Sequence, residues 1–174
     1  MKKLLFTFGL LFMAGSVLFG QDFEYIGAAK CKMCHNKPAT GEQYKIWAAS
    51  PHAKAMESLK SEASMKYAKE NGIADPSTDA KCIACHSTAG AIDASLNLGI
   101  KPEEGVSCES CHGPGSKYKS NTIMKDRAQA VANGLVIPTK ATCEGCHNEK
   151  NPFHKPFNYE ENLKKIAHPN PAKG

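Results

Sequence analysis

The stretch GVSCESCHGPGS, residues 105–116, sets Cys108 and Cys111 two residues apart and puts His112 directly after the second. The same arrangement occurs three more times: Cys31-Lys32-Met33-Cys34-His35, Cys82-Ile83-Ala84-Cys85-His86 and Cys143-Glu144-Gly145-Cys146-His147. All 8 cysteines fall in these pairs, and the chain has only 7 histidines to place after them. Four such placements by chance come to on the order of one in a few hundred thousand. The repeat therefore has a chemical cause.

Several chemistries use paired cysteines. A disulfide within one helical turn is strained and reactive, and it leaves the adjacent histidine unexplained four times. Zinc and iron–sulfur sites take paired cysteines but require no histidine after each pair. Covalent c-type haem uses all three residues. The thiols add across the two vinyl groups of one porphyrin, one turn of backbone matches the vinyl separation, and the histidine lies under the iron. Four haems are expected, held by Cys31, Cys34, Cys82, Cys85, Cys108, Cys111, Cys143 and Cys146. Their proximal ligands are His35, His86, His112 and His147.

The rest of the composition agrees. Met1-Lys2-Lys3 followed by an apolar run from Leu4 to Gly20 reads as a secretory signal peptide, residues 1–20, with an uncleaved anchor as the alternative. Residues 21–174 then form one tetrahaem cytochrome c domain, exported to the periplasm or an equivalent space where thiols oxidise. No later stretch is apolar enough to cross a membrane, so no stable membrane insertion is expected after cleavage. With 7% aromatic residues, 14 Gly and 10 Pro, the chain has a thin core, and the macrocycles would fill it. The formal net charge of +5 falls to +3 without Lys2 and Lys3. Four ferric haems with their propionates would bring it to roughly −1. The lysines lie among acids and form no stripe with aromatics, which excludes nucleic acid as a partner.

Between the motifs the pattern is helix and loop, giving a mainly α fold of short helices and loops wrapped around four covalent haems. Residues 41–49 are expected helical, and Ser50-Pro51 should cap a second helix through residue 60. Residues 62–71 continue helical to Gly72, and 125–133 form a short helix before Gly134. Asn158 with Glu161 resembles a capping box opening a last helix, with Tyr159, Leu163 and Ile166 on one face. Residues 87–107 and 148–157 read as loops, and no stretch alternates long enough for a sheet.

Seven histidines less four proximal ones leave His52, His154 and His168 for four distal positions. At least one iron therefore lacks a second histidine from this chain. His52, on a helix, and His168, at the end of one, are the distal candidates. His154, in a proline-flanked loop close to His147, reads as a surface residue. Among the methionines, Met56 is expected to pack on a ring and Met65 in the core. Met124 is either packing or a thioether ligand, which would raise the potential of its iron.

The order of the four motifs, HAKAMESLK at 52–60 and GVSCESCHGPG at 105–115 resemble the cytochrome c-554 family of tetrahaem electron-transfer cytochromes. The likeness runs from about Tyr25 to His168 and is weaker in the tail. It implies a mostly helical fold with haems in close pairs. It further implies that His52 ligates the iron attached at Cys108 and Cys111, that His168 ligates the one at Cys143 and Cys146, and that the iron over His86 has an open distal face. The family's distal histidine for the first haem falls at Thr122 here, which leaves Met124, two residues on, as its candidate. The expected function is electron relay between redox partner proteins. The alternatives are a small nitrogen-oxide redox enzyme acting at an open haem (hydroxylamine, nitrite or nitric oxide) and an extracellular haem-wire subunit.

Overall fold

A computed structural model describes residues 23–171. The expected signal segment lies outside the described residues. Among the described residues eleven α-helices follow one another, none longer than nine residues. They are α1 (Ala28–His35), α2 (Gln43–Ala49), α3 (Ala55–Ser58), α4 (Glu62–Glu70), α5 (Ala80–His86) and α6 (Thr88–Ala91). The second half supplies α7 (Cys108–His112), α8 (Asn121–Lys125), α9 (Arg127–Ala132), α10 (Lys140–Glu144) and α11 (Tyr159–Ile166). Among the described residues the only β pairing is an isolated bridge between Tyr25 and Asn97. The mainly α expectation stands.

Side-chain caps set several of the starts. Ser61 accepts from Ser64 N at 3.2 Å at the head of α4, and Asn158 accepts from Glu161 N at 3.2 Å at the head of α11. The expected 125–133 helix is α9, which starts two residues later. Asp126 leaves helical geometry and accepts from Gln129 N at 3.1 Å, so α8 ends and α9 begins there.

The helix expected from Pro51 starts only at Ala55. The His52 carbonyl is taken by Val106 N at 3.0 Å and by Ala55 N at 3.2 Å, which leaves residues 51–54 in turns. Ser50 closes α2, its N–H bonding Trp47 O at 2.8 Å, and does not N-cap the next helix; its Oγ is buried without a hydrogen bond among the described residues. Residues 87–107 are more ordered than a loop, holding α6 and short 3₁₀ turns at Ala94–Leu96 and Pro102–Glu104. Met65 is 48% exposed on α4 rather than in the core.

The quoted stretch is the hub of the packing. Val106 N bonds the His52 carbonyl, and Val106 O accepts from Trp47 Nε1 at 2.8 Å. Thr88, fully buried just after the second motif, donates its backbone N–H to Gly105 O and accepts Ser107 N at 2.8 Å. Gly105 sits at φ +64, and a Cβ there would lie 2.6 Å from His52 O. Only glycine allows these two chains to approach so closely. The apolar core beyond this hub is small: Ile26, Ala28, Leu59, Ala68, Ile100, Tyr118 and Ala130. Three of these are alanines.

Candidate haem-binding site

Each motif rides on a short helix. α1, α5 and α7 end on the motif histidine, while α10 ends before Gly145 and the turn carries on to His147, whose N–H bonds Cys143 O at 2.9 Å. Positions i, i+3 and i+4 are neighbours on a helix, so both thiols and the imidazole of each motif face one way.

The motifs also meet one another. The Cys108 thiol donates to Cys31, which pushes Cys108 up and Cys31 down. The Cys146 thiol is pushed up to about 11, first by burial and then by Cys85 beside it. Cys111 is raised by burial and then by neighbouring Cys143. These contacts order the motifs first, third, fourth, second, with first beside third and second beside fourth. Among the described residues no three His, Cys, Asp or Glu side chains converge to hold a metal ion by themselves.

Three of the motif imidazoles are oriented by acceptors on Nδ1. His35 Nδ1 donates to Gln43 Oε1 at 3.3 Å, His86 Nδ1 to Ala55 O at 2.9 Å with Ser58 Oγ at 3.1 Å, and His112 Nδ1 to Val136 O at 3.4 Å. A proton fixed on Nδ1 leaves the Nε2 lone pair free for a metal. His147 is held instead by Phe157, stacked on it at 4.7 Å and 15°. Desolvation lowers the pKa of His52, His112, His147 and His168, favouring the neutral, ligating form.

Two histidine pairs come from remote segments. His52 faces His147 with ring centres 6.1 Å apart, and His168 faces His112 at 5.9 Å. An iron with an imidazole on each side holds the ring centres about 6 Å apart, the sum of two bonds of roughly 2 Å and two half-rings of about 1 Å. The residues therefore fit c-type haem. The pairing differs from the one the family likeness implies, in which His52 served the third motif and His168 the fourth. The tail explains the exchange. Gln43 Nε2 donates to Pro169 O at 2.8 Å, drawing the chain after α11 over the first and third motifs, so that His168 also lies near His35. His154 is exposed beside His147, and Met124 is half-buried on α8.

Glu109, inside the third motif, is a site residue that sequence reasoning missed. It is 2% exposed and accepts Ile26 N at 3.0 Å, Gly27 N at 2.8 Å and Gly115 N at 2.6 Å. Glu104 accepts Ala28 N at 2.8 Å alongside it. Two carboxylates from the third-motif region thus cap the first-motif helix, satisfying donors that a helix start leaves unpaired. Burial pushes the Glu109 carboxyl up, and the hydrogen bonds from Ile26, Gly115 and Gly27 pull it back down. A Cβ on Gly115 would lie 2.9 Å from Ile26 Cδ1 and 3.0 Å from Glu109 Oε1, so the glycine admits the carboxylate. No periodicity marks a charged residue between two cysteines as buried. The Gly113–Gly115 loop after it was the only signal.

Comparison with known proteins gives a consistent answer. The family described as cytochrome c554 and c-prime matches residues 30–113. Cytochrome c-554 of Nitrosomonas europaea is 36% identical over 72% of this chain, and the match spans 58% of that relative's length. The structure of the reduced state of cytochrome c554 from the same organism matches with a TM-score of 0.55 and 27% identity, covering 83% of this chain and 78% of that one. With four Cys-x-x-Cys-His motifs, the helical fold and these likenesses, the chain belongs to the cytochrome c-554 family.

Proposed function

We propose that this protein carries four c-type haems and relays single electrons between redox partner proteins outside the cytoplasm. Family membership brings covalent haem c with it; the count of four rests on the four motifs. The observation that carries the reading is the pair of remote histidine couples, His52 with His147 and His112 with His168, each at the spacing of two imidazoles on one iron. An iron so ligated gains and loses an electron without making or breaking bonds.

The chain's residues have distinct parts in this reading. The eight cysteines hold the macrocycles by thioethers, and His35, His86, His112 and His147 are the proximal ligands. His52 is the distal ligand of the fourth-motif iron and His168 that of the third. Met124 is the candidate for the iron over His35. Gln43, Ala55 with Ser58, and Val136 keep their imidazoles in one tautomer and one orientation, which holds each potential steady. Cysteine contacts running first, third, fourth, second give the array an order along which electrons pass. Neither nitrogen-oxide turnover nor a haem-wire role gains support from the relatives found.

Intact-mass measurement of exported protein tests the load and should show four haem additions. An electron paramagnetic resonance survey tests the ligands and should show at least two low-spin bis-imidazole irons. Fewer than four haems in fully matured protein, or no low-spin signal, would overturn the proposal.

A further inference from the structure

The first motif differs from the other three in what it shows to solvent. Cys31, Cys34 and His35 share a face of α1, so Lys32 and Met33 point the other way. Met33 is 68% exposed, and Cys34 is the one exposed cysteine of the eight. Lys30, Lys32 and Lys37, close to it along the chain, are exposed, as are Pro38 and Ala39. None of these three lysines has an ion pair among the described residues, whereas nearby Lys45 is held by Glu42 at 3.1 Å. The patch is firmly built. Lys32 Nζ lies 5.1 Å over the Tyr44 ring, and Thr40 Oγ1 donates to Cys34 O at 2.8 Å. The matching positions elsewhere lack this character. The third motif buries Glu109, and the fourth presents Glu144, paired with Lys140 at 3.2 Å.

We propose that the outer face of the first motif, Lys30, Lys32, Met33 and Lys37, is the docking surface for an acidic redox protein. The proposal rests on the electron-relay reading above. The first motif is one end of the contact order, so an electron entering there can travel the whole array. Apolar Met33 supplies a dry centre, and the lysine rim attracts an acidic partner and sets its orientation. With haems in place the molecule would be close to neutral overall, so attraction of an acidic partner would come from local patches such as this one. The reduced partner loses one electron, and the iron over His35 gains it near the Cys34 edge. No bond changes and no proton is required.

The test is stopped-flow reduction of the holoprotein by a reduced acidic flavodoxin at low ionic strength. The triple variant Lys30→Glu, Lys32→Glu, Lys37→Glu should react about tenfold more slowly than wild type, and the gap should close near 0.5 M salt. A charge-matched control, Lys60→Glu, Lys66→Glu, Lys69→Glu, should stay within about twofold. The neutral set Lys30→Gln, Lys32→Gln, Lys37→Gln should fall about threefold and serves if the glutamate set fails to mature. Intact mass and unchanged midpoint potentials show that each variant is loaded. Equal losses in the two glutamate sets, or a loss that salt does not abolish, would overturn the docking surface. Wild type that exchanges electrons with neither flavodoxin nor hexacyanoferrate would instead sink the relay reading itself.

Discussion

Single residues carry much of the stability here, because the apolar core is so small. Glu109 satisfies three buried backbone donors at once. An unmet buried donor costs about 1–3 kcal/mol. Glu109→Ala should therefore destabilise the holoprotein by about 3 kcal/mol or more, read as a lower denaturant midpoint, and it should loosen the first motif against the third. Glu109→Gln should lose less, since its amide oxygen still accepts. Met124 is tested separately. If it completes the iron over His35, Met124→Ala should turn one low-spin iron high-spin, and Met124→His should restore low spin at a lower potential, because imidazole stabilises ferric iron better than a thioether does. Unchanged spectra would reduce Met124 to packing. The four Cys-x-x-Cys-His motifs were legible from spacing alone, since their pattern is local. Glu109, Gln43 and Val136 were not, because their partners lie far along the chain or use backbone atoms that any residue offers.

Among the elements, helices with a local cause were readable. α11 begins at the Asn158 cap that the sequence suggests, and α4 begins at a Ser61 cap within the stretch expected to be helical. The segment after Pro51 was not readable, because the His52 carbonyl is claimed by Val106 from across the fold. Tertiary hydrogen bonding overrode a good local start. The histidine pairs follow the same logic. The family likeness implied that His168 serves the fourth motif, yet α11 ends in a tail that Gln43 draws to the first and third. His168→Ala should create one high-spin iron, and paramagnetic proton NMR should assign it to the macrocycle attached at Cys108 and Cys111. Assignment to Cys143 and Cys146 would restore the pairing that the family likeness implies. His52→Ala should affect the fourth-motif iron in the same way.

At the scale of the whole molecule, four short attachment helices stand around a core that protein atoms alone barely form. Val136, Ile137, Phe153 and Leu163 are exposed hydrophobics of a kind that macrocycles would cover. Chain produced without haem attachment should show no cooperative thermal transition and little protection from hydrogen exchange. A sharp transition would mean that the protein core suffices. The crossed histidine pairs also bear on how the molecule is made. If the chain is exported amino-terminus first, His52 comes before its partner His147, and His112 before its partner His168. On the proposed ligation the fourth-motif iron would find His52 already present, whereas the third-motif iron would stay reachable by small ligands until His168 follows. Maturation and closure are then separate events in time, and a chain cut short before His168 would bear all its haems while one of them stays open to capture by cyanide or nitric oxide.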